Sequence, residues 1–297
     1  MGEDEWLAER FEEHRGHLRT VAYRMLGSHA EADDAVQDAW LRVSRSDPER
    51  VENLGGWLTT IVARVCLNML RSRRTRRESS LDSHVPDPVV RIPGSQPEED
   101  ALLADSVGLA LLVVLDTLTP AERLAFVLHD TFDLPFEEVA SMMERTPAAV
   151  RQLASRARRR VKGAAVPRPD DLTRQREVVD AFFAAARGGD FDALVGLLDP
   201  DVVLRIDGGV RYATASRALR GREAVSRQAE SGLRPLLSRP GMLLRPALVN
   251  GAAGMVATLR GSTVSVIGFS IAGGRILEID AIAEPERLQA MAVAPLA

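Results

Sequence analysis

The chain has 297 residues, 45% hydrophobic and 27% charged, with a formal net charge of −4. That length allows two or three domains. A net acidic balance argues against a nucleic-acid partner, one cysteine excludes a disulfide within the chain and suits a reducing cytosol, and no apolar run approaches the roughly 20 residues of a membrane span.

The acidic start, MGEDEWLAER, does not read as a signal peptide. Residues 5–27 predict a helix, with Trp6, Leu7, Phe11, Leu18, Val21, Ala22, Met25 and Leu26 near helical spacing and Gly27 as its stop. Ser28 can cap a second helix that buries Ala32, Ala35, Val36, Ala39, Trp40 and Val43. Asp33, Asp34, Gln37 and Asp38 fall on its outer face. Acids near a helix start are favoured by the macrodipole alone, and they also suit a docking surface for a basic protein partner. A third helix follows the loop at 47–55. Its front half is apolar, through Trp57, Leu58, Ile61, Val62, Val65, Leu67 and Leu70, and its rear half carries Arg71, Arg73, Arg74, Arg76 and Arg77. The helix dipole accounts for one or two of these arginines; five make a cationic rod suited to a phosphate backbone. The local distribution of charge thus favours the nucleic acid that the net charge disfavours. Cys66, in the apolar run, reads as core, and Trp57 reads either as core or as a platform for an unstacked base.

Residues 78–100 hold four prolines and read as a linker, with one apolar island, Val85-Pro86-Asp87-Pro88-Val89-Val90, suited either to docking on a neighbouring domain or to an inert spacer. Two helices are predicted over 101–129, the second opened by Thr119-Pro120-Ala121-Glu122. The stretch 136–162 then gives a short helix (Phe136, Val139, Ala140, Met143), a turn at Glu144-Arg145, and a helix capped by Thr146 with Pro147 at its first position. This second helix buries Val150, Leu153, Ala154, Ala157 and Val161. Its other faces show Arg151, Gln152, Ser155, Arg156, Arg158, Arg159, Arg160 and Lys162, with no acid among them. The pattern is a helix-turn-helix, whose second helix enters the major groove. A merely solvated basic face is the competing reading. Against it stand the single sign of the charge over four turns and the presence, at the exposed N-terminal end, of Arg151 and Gln152, side chains that suit guanine and adenine edges.

After a second linker at 164–171 the composition changes. Helix, short helix and a strand at 202–206 are followed by a helix from Arg222 to Glu230 and by strands at 242–249, 254–259, 264–271 and 275–282. Helices first and then a curved antiparallel sheet give an α+β layout.

Over residues 5–163 the chain resembles a bacterial sigma factor of the extracytoplasmic-function (ECF) type. AYRMLGSHAEADDAVQDAWLRV is similar to the helix that grips the polymerase clamp, WLTTIVARVCLNMLRSRRTRR to the element that opens and reads the −10 region, and LTPAERLAFVLHDTFDLPFEEVASMMERTPAAVRQLASRARRRV to the −35 reader. The tail resembles the SnoaL-like (NTF2/ketosteroid-isomerase-like) fold, which a subgroup of these factors carries. His84-Val85-Pro86-Asp87-Pro88-Val89 is similar to that subgroup's WLPEP linker motif, Asp207-Gly208-Gly209-Val210-Arg211 to its DGGGR loop, and Ala283-Glu284-Pro285-Glu286-Arg287-Leu288 to its NPDKL tail.

The resemblance implies two all-α sigma domains, the second with the helix-turn-helix, followed by an α+β domain: 1–78, a linker 79–100, 101–163, a linker 164–171, and 172–297. It implies a promoter-specificity subunit that performs no covalent chemistry and needs no cofactor or metal. Its partners are core RNA polymerase (the clamp of the beta-prime subunit, and the beta subunit) and promoter DNA, in the cytoplasm and away from any membrane, with a monomer favoured for the free protein. Asp33, Asp34, Gln37 and Asp38 would face the clamp. Asn68, Arg71, Arg73, Arg74, Arg76 and Arg77 would meet the −10 DNA; Thr146, Arg151, Gln152, Ser155, Arg156 and Arg159 the −35 groove. Pro86, Asp87, Pro88, Asp207, Gly208, Gly209, Arg211 and Pro285 would serve a regulatory tail, one able to bind an unknown small ligand. The alternative is an isomerase- or cyclase-type enzyme in the tail, with Asp207, Asp280 or Glu278 as general base. The tail has no His and no Cys, so a His–Asp dyad is excluded there.

Overall fold

The computed structural model of the chain describes residues 3–46, 53–76, 85–92, 109–163, 170–209 and 216–291. It divides into two compact units. The first gathers residues 1–78, 101–103 and 111–165; the second gathers 79–100, 104–110 and 166–297.

In the first unit, α1 (Glu3–Leu26), α2 (His29–Val43) and α3 (Leu54–Arg76) pack together. Their shared core includes Phe11, Leu18, Val21, Met25, Ala35, Val36, Leu58, Val62 and Cys66, all buried. Gly27 ends α1 in the left-handed region, at φ 69°. Asn53 opens α3, its Oδ1 accepting the Gly56 N–H at 3.0 Å. Trp40, expected in the core, is only half-buried and lies against Phe11 with ring centroids 5.0 Å apart. Burial pushes the Cys66 thiol up to about 12, so it stays an inert core residue.

From Leu111 onward the same unit holds α4 (Leu109–Asp116), then α5 (Pro120–Phe126) with a π turn at Val127–Thr131, α6 (Phe136–Met143) and α7 (Pro147–Gly163). The Thr119–Glu122 capping box starts α5 as the sequence predicts. Buried Arg123 of α5 donates from Nε and Nη2 to the Arg24 carbonyl, both at 3.3 Å, and pairs with Asp116. Arg64 of α3 donates to the Met142 carbonyl at 3.2 Å.

The second unit is built on a seven-stranded sheet, ordered β1-β4-β5-β6-β7-β2-β3. Its elements in chain order are β1 (Val90–Arg91), α8 (Leu172–Gly188), α9 (Phe191–Leu197), β2 (Leu198–Asp207), β3 (Arg217–Arg220), α10 (Arg222–Gln228) with a π turn at Ala229–Leu233, α11 (Arg234–Leu237), β4 (Met242–Val249), β5 (Ala252–Leu259), β6 (Ser262–Ala272), β7 (Arg275–Ile282) and α12 (Pro285–Ala290). Asp171 and Asp190 cap α8 and α9 through the Arg174 and Ala193 N–H groups. The strand pattern suggests a wholly antiparallel sheet, and one pairing departs from it. β2 enters from the helices rather than through a hairpin, and it lies parallel to β7.

Side chains alternate between the two faces of the sheet. One face meets the helices in a core of Phe182, Phe183, Leu194, Leu204, Met255, Phe269 and Ile279, in which the three phenylalanines meet edge to face. The other packs Val249, Val256, Val266 and Ile282 against Val85, Leu109, Leu288 and Met291. The apolar island of the linker is thus part of the tail's second core.

Candidate nucleic-acid interface and linker clamp

The turn between α6 and α7 is made by Glu144, left-handed at φ 54°. The Thr146 Oγ1 accepts the Ala149 N–H at 3.3 Å and Pro147 opens α7. Val150, Leu153, Ala154 and Ala157 are buried, Val161 half-buried. That fixes the opposite face outward, and Arg151, Gln152, Ser155, Arg156 and Arg159 are all exposed on it. The basic side chains are not equivalent. Arg151 bonds Glu137 at 2.7 Å and lies 5.3 Å over the Phe136 ring. Arg158 pairs with Asp130 at 2.6 Å and Arg160 with Glu122 at 3.0 Å. Among the described residues Arg156 and Arg159 have no ion pair.

On α3, Asn68 and Arg71 are exposed. Arg73 is turned back: it donates to the Leu26 carbonyl at 3.1 Å and pairs with Glu31. It ties the end of α3 to the start of α2, a role the sequence pattern does not separate from its neighbours. The α3 backbone runs through Arg74 and Arg76; their side chains, and the whole of Arg77, lie outside the described residues. Trp57 is half-buried. On α2, Asp33, Asp34, Gln37 and Asp38 are all exposed, and Asp33 accepts from Arg19 at 2.7 Å.

In the second unit the linker island is held by a charged clamp. Asp207, buried at the end of β2, accepts the Val85 N–H at 3.0 Å and Arg287 Nη1 at 2.8 Å on one oxygen, and the Gly209 N–H at 3.0 Å on the other. Arg287 of α12 also bonds Asp87 and the Val85 carbonyl. Burial alone would lower the Arg287 pKa; Asp87 and Asp207 overcome that and raise it. Pro86 and Pro88 are buried and Pro285 opens α12. Gly208 donates to Ser216 Oγ at 3.0 Å. Gly209 sits at φ 69°, and a Cβ there would run into the Glu284 carboxylate. Arg211 lies outside the described residues.

Two of the clamp's members are not evident from residue types. Arg287 lies in the NPDKL-like stretch but has no mark of its own. Asn250 reads only as a hairpin turn, with Gly251 after it. Its Oδ1 accepts the Val89 N–H at 2.6 Å and its N–H donates to the Val89 carbonyl at 2.8 Å. Beyond it β1 adds to the edge of β4, with Val90 opposite Val249.

Asp280 and Glu278, the candidate general bases on β7, lie on the sheet face away from the phenylalanine core. Asp280 bonds Arg205 at 2.9 Å and Glu278 bonds it at 3.2 Å. Burial raises Asp280 to about 6, against the pull of Arg205 and with the push of Glu278. No group of three or more His, Cys, Asp or Glu suited to a metal occurs among the described residues.

A helical unit that presents the exposed basic face of a helix-turn-helix, joined to an α+β domain, is the class this architecture defines. Models of two families match: Sigma-70 region 2 over residues 10–76 and Sigma-70 region 4 over 108–161. The ECF RNA polymerase sigma factor SigJ of Mycobacterium tuberculosis is 38% identical over 290 residues, 93% of this chain and 91% of that one. A chain of the same species named as a probable ECF sigma factor, SigI, is 32% identical over 291 residues, 97% of each. The crystal structure of SigJ superposes with a TM-score of 0.73, at 34% identity, over 95% of this chain and 98% of that one. The chain belongs to the ECF RNA polymerase sigma factors. It directs promoter-specific transcription initiation as a partner of core RNA polymerase and promoter DNA. None of its described helices is long and apolar enough to cross a membrane.

Proposed function

We propose that α7 reads the −35 element through Arg151, Gln152, Ser155 and Arg156, with Thr146 and Arg159 on flanking phosphates. Asn68, Arg71, Arg74, Arg76 and Arg77 work at the −10 element, with Arg73 bracing the helix that presents them. Asp33, Asp34, Gln37 and Asp38 dock on the clamp of the beta-prime subunit, and α7's unit also meets the beta subunit. The free protein is a monomer and works in the cytoplasm, where its polymerase is. The observation that supports this reading best is the outward face of α7, where base-reading side chains stand on a helix locked by four buried apolar residues.

The tail regulates by holding the linker between the two sigma regions. Asp207, Arg287 and Asp87 fix its conformation, and Asn250 extends the hold to β1. A change in that hold biases which arrangements of the two regions are populated. Run-off transcription with core polymerase tests both parts. Gln152→Ala should cost roughly 1–3 kcal/mol of discrimination at one −35 position. Asp207→Asn in a folded chain should change promoter output; unchanged output would remove the tail's role.

A further inference from the structure

Charge in the tail is as segregated as in the sigma regions. Between residues 208 and 277 the sequence holds ten arginines, no lysine, and only two acids, Glu223 and Glu230, in a chain whose net charge is −4. Much of this charge faces solvent. Arg217, Arg220, Arg227, Arg239 and Arg260 are all exposed, and among the described residues none has a carboxylate partner; Arg217 bonds only the Gln228 amide, at 3.0 Å.

Four of these positions follow one another along a single stretch of chain, and the fifth, Arg260, is bonded to its end. Arg217 and Arg220 lie on β3, an edge of the sheet, three residues apart and so on opposite faces of it; Arg220 is the one nearest the helix that follows. A single residue, Gly221, leads from β3 into α10, and α10, the π turn at 229–233 and α11 follow without a break. Arg239 comes two residues after α11. Its carbonyl accepts the Met242 N–H at 3.1 Å, and the neighbouring Gly241 carbonyl accepts the Arg260 N–H at 2.9 Å. From Arg220 to Arg239 a helical path is up to about 28 Å long, at 1.5 Å per residue. That matches about eight base pairs of duplex, at 3.4 Å each.

We propose that this ridge is a second, sequence-independent DNA contact, which binds the phosphate backbone of duplex flanking the elements read by the sigma regions. Guanidinium groups suit phosphate oxygens. Residues 216–241 include no aromatic side chain to stack on or wedge between bases, so the ridge contributes affinity and salt dependence rather than specificity. A duplex is the favoured occupant because, on the reading proposed above, the same chain brings DNA to itself through α7.

The test is equilibrium binding of the full chain to a labelled duplex without promoter sequence, followed by anisotropy from 50 to 300 mM salt (chosen to span the range over which such binding weakens steeply, about 50–200 mM). Because that probe carries no promoter, failure here leaves the promoter-reading assignment standing. The triple variant Arg220→Gln, Arg227→Gln, Arg239→Gln should flatten the slope of log K against log salt by up to about 2.7, or about 0.9 for each phosphate that is no longer neutralised. The matching Arg→Lys triple should keep most of the slope. Arg174→Gln, Arg176→Gln, Arg187→Gln on α8 changes net charge equally and should leave the slope near that of the parent chain. Equal flattening by both Gln triples reduces the effect to net charge and overturns the proposal. So does an unchanged slope, and so does weakened binding to core polymerase with DNA binding intact, which would make the ridge a face for an acidic protein. The substituted side chains are exposed, and each single variant should fold and flatten the slope by about 0.9 if a triple does not fold.

Discussion

Arg287 and Asp207 form the pair on which the tail's hold on the linker depends. Asp207 is buried and Arg287 largely so, surrounded by Asp87, Asp207 and the Val85 carbonyl. Removing one partner of a buried ion pair leaves the other charge unpaired, at a cost of about 3–5 kcal/mol. Arg287→Ala should therefore destabilise the chain by that order in urea unfolding, more than Asp207→Asn, which removes a charge but keeps an acceptor for the Val85 N–H. Asp280 gives a pH signature of the opposite sign to an ordinary paired acid. Its pKa is raised by burial to about 6 from 3.8, so the folded chain binds the extra proton in that window. Stability from this group is present below the unfolded value and is lost as pH rises through about 6. Unfolding of the parent chain and of Asp280→Asn should accordingly diverge: the parent gains stability relative to the variant as pH falls from about 6 towards about 4. A constant difference across that range would show that Asp280 is not held in this state. Asp207 and Asp87 are singled out in sequence by the stretches they stand in, which resemble the DGGGR loop and the WLPEP linker motif. Arg287, Arg205 and Asn250 are not, because nothing local distinguishes an arginine bound by two distant carboxylates from one in water.

Among the elements, those with strong periodicity and local punctuation are legible in the sequence. α1, α2, α6 and α7 follow from apolar spacing and from Gly27, Thr146 and Pro147, and β4 and β7 occupy the expected residues. β1 and β3 are not legible. They are two and four residues long, and each exists only because a neighbouring strand supplies its hydrogen-bond partners. The same limit hides the parallel pairing of β2 with β7, since strand direction is settled by the connection and not by the strand's composition. Gly209 can be tested at this scale. A Cβ there is strained by the positive φ and meets Glu284. Gly209→Ala should lower the urea midpoint, and Glu284→Ala beside it should recover the steric share but not the backbone share. Full recovery would locate the whole cost in the clash.

For the whole molecule, the central point is that the linker belongs to the tail's fold. Val85 and Val89 donate their amides to Asp207 and Asn250, residues more than a hundred positions later in the chain. Those two N–H groups therefore report whether the clamp is closed, independently of transcription. In the free chain they should exchange with solvent slowly, near the rate set by global unfolding of the second unit. Asn250→Ala should release Val89 first and Val85 less, while Asp207→Ala should do the reverse. Each weakening of the clamp by about 1.4 kcal/mol speeds exchange about tenfold. If the tail regulates initiation through this hold, promoter output across such variants must rank in the order of Val85 and Val89 protection. Output that changes while both amides stay protected would place the tail's influence elsewhere, and the arginine ridge on β3 and α10 would then be the first surface to substitute.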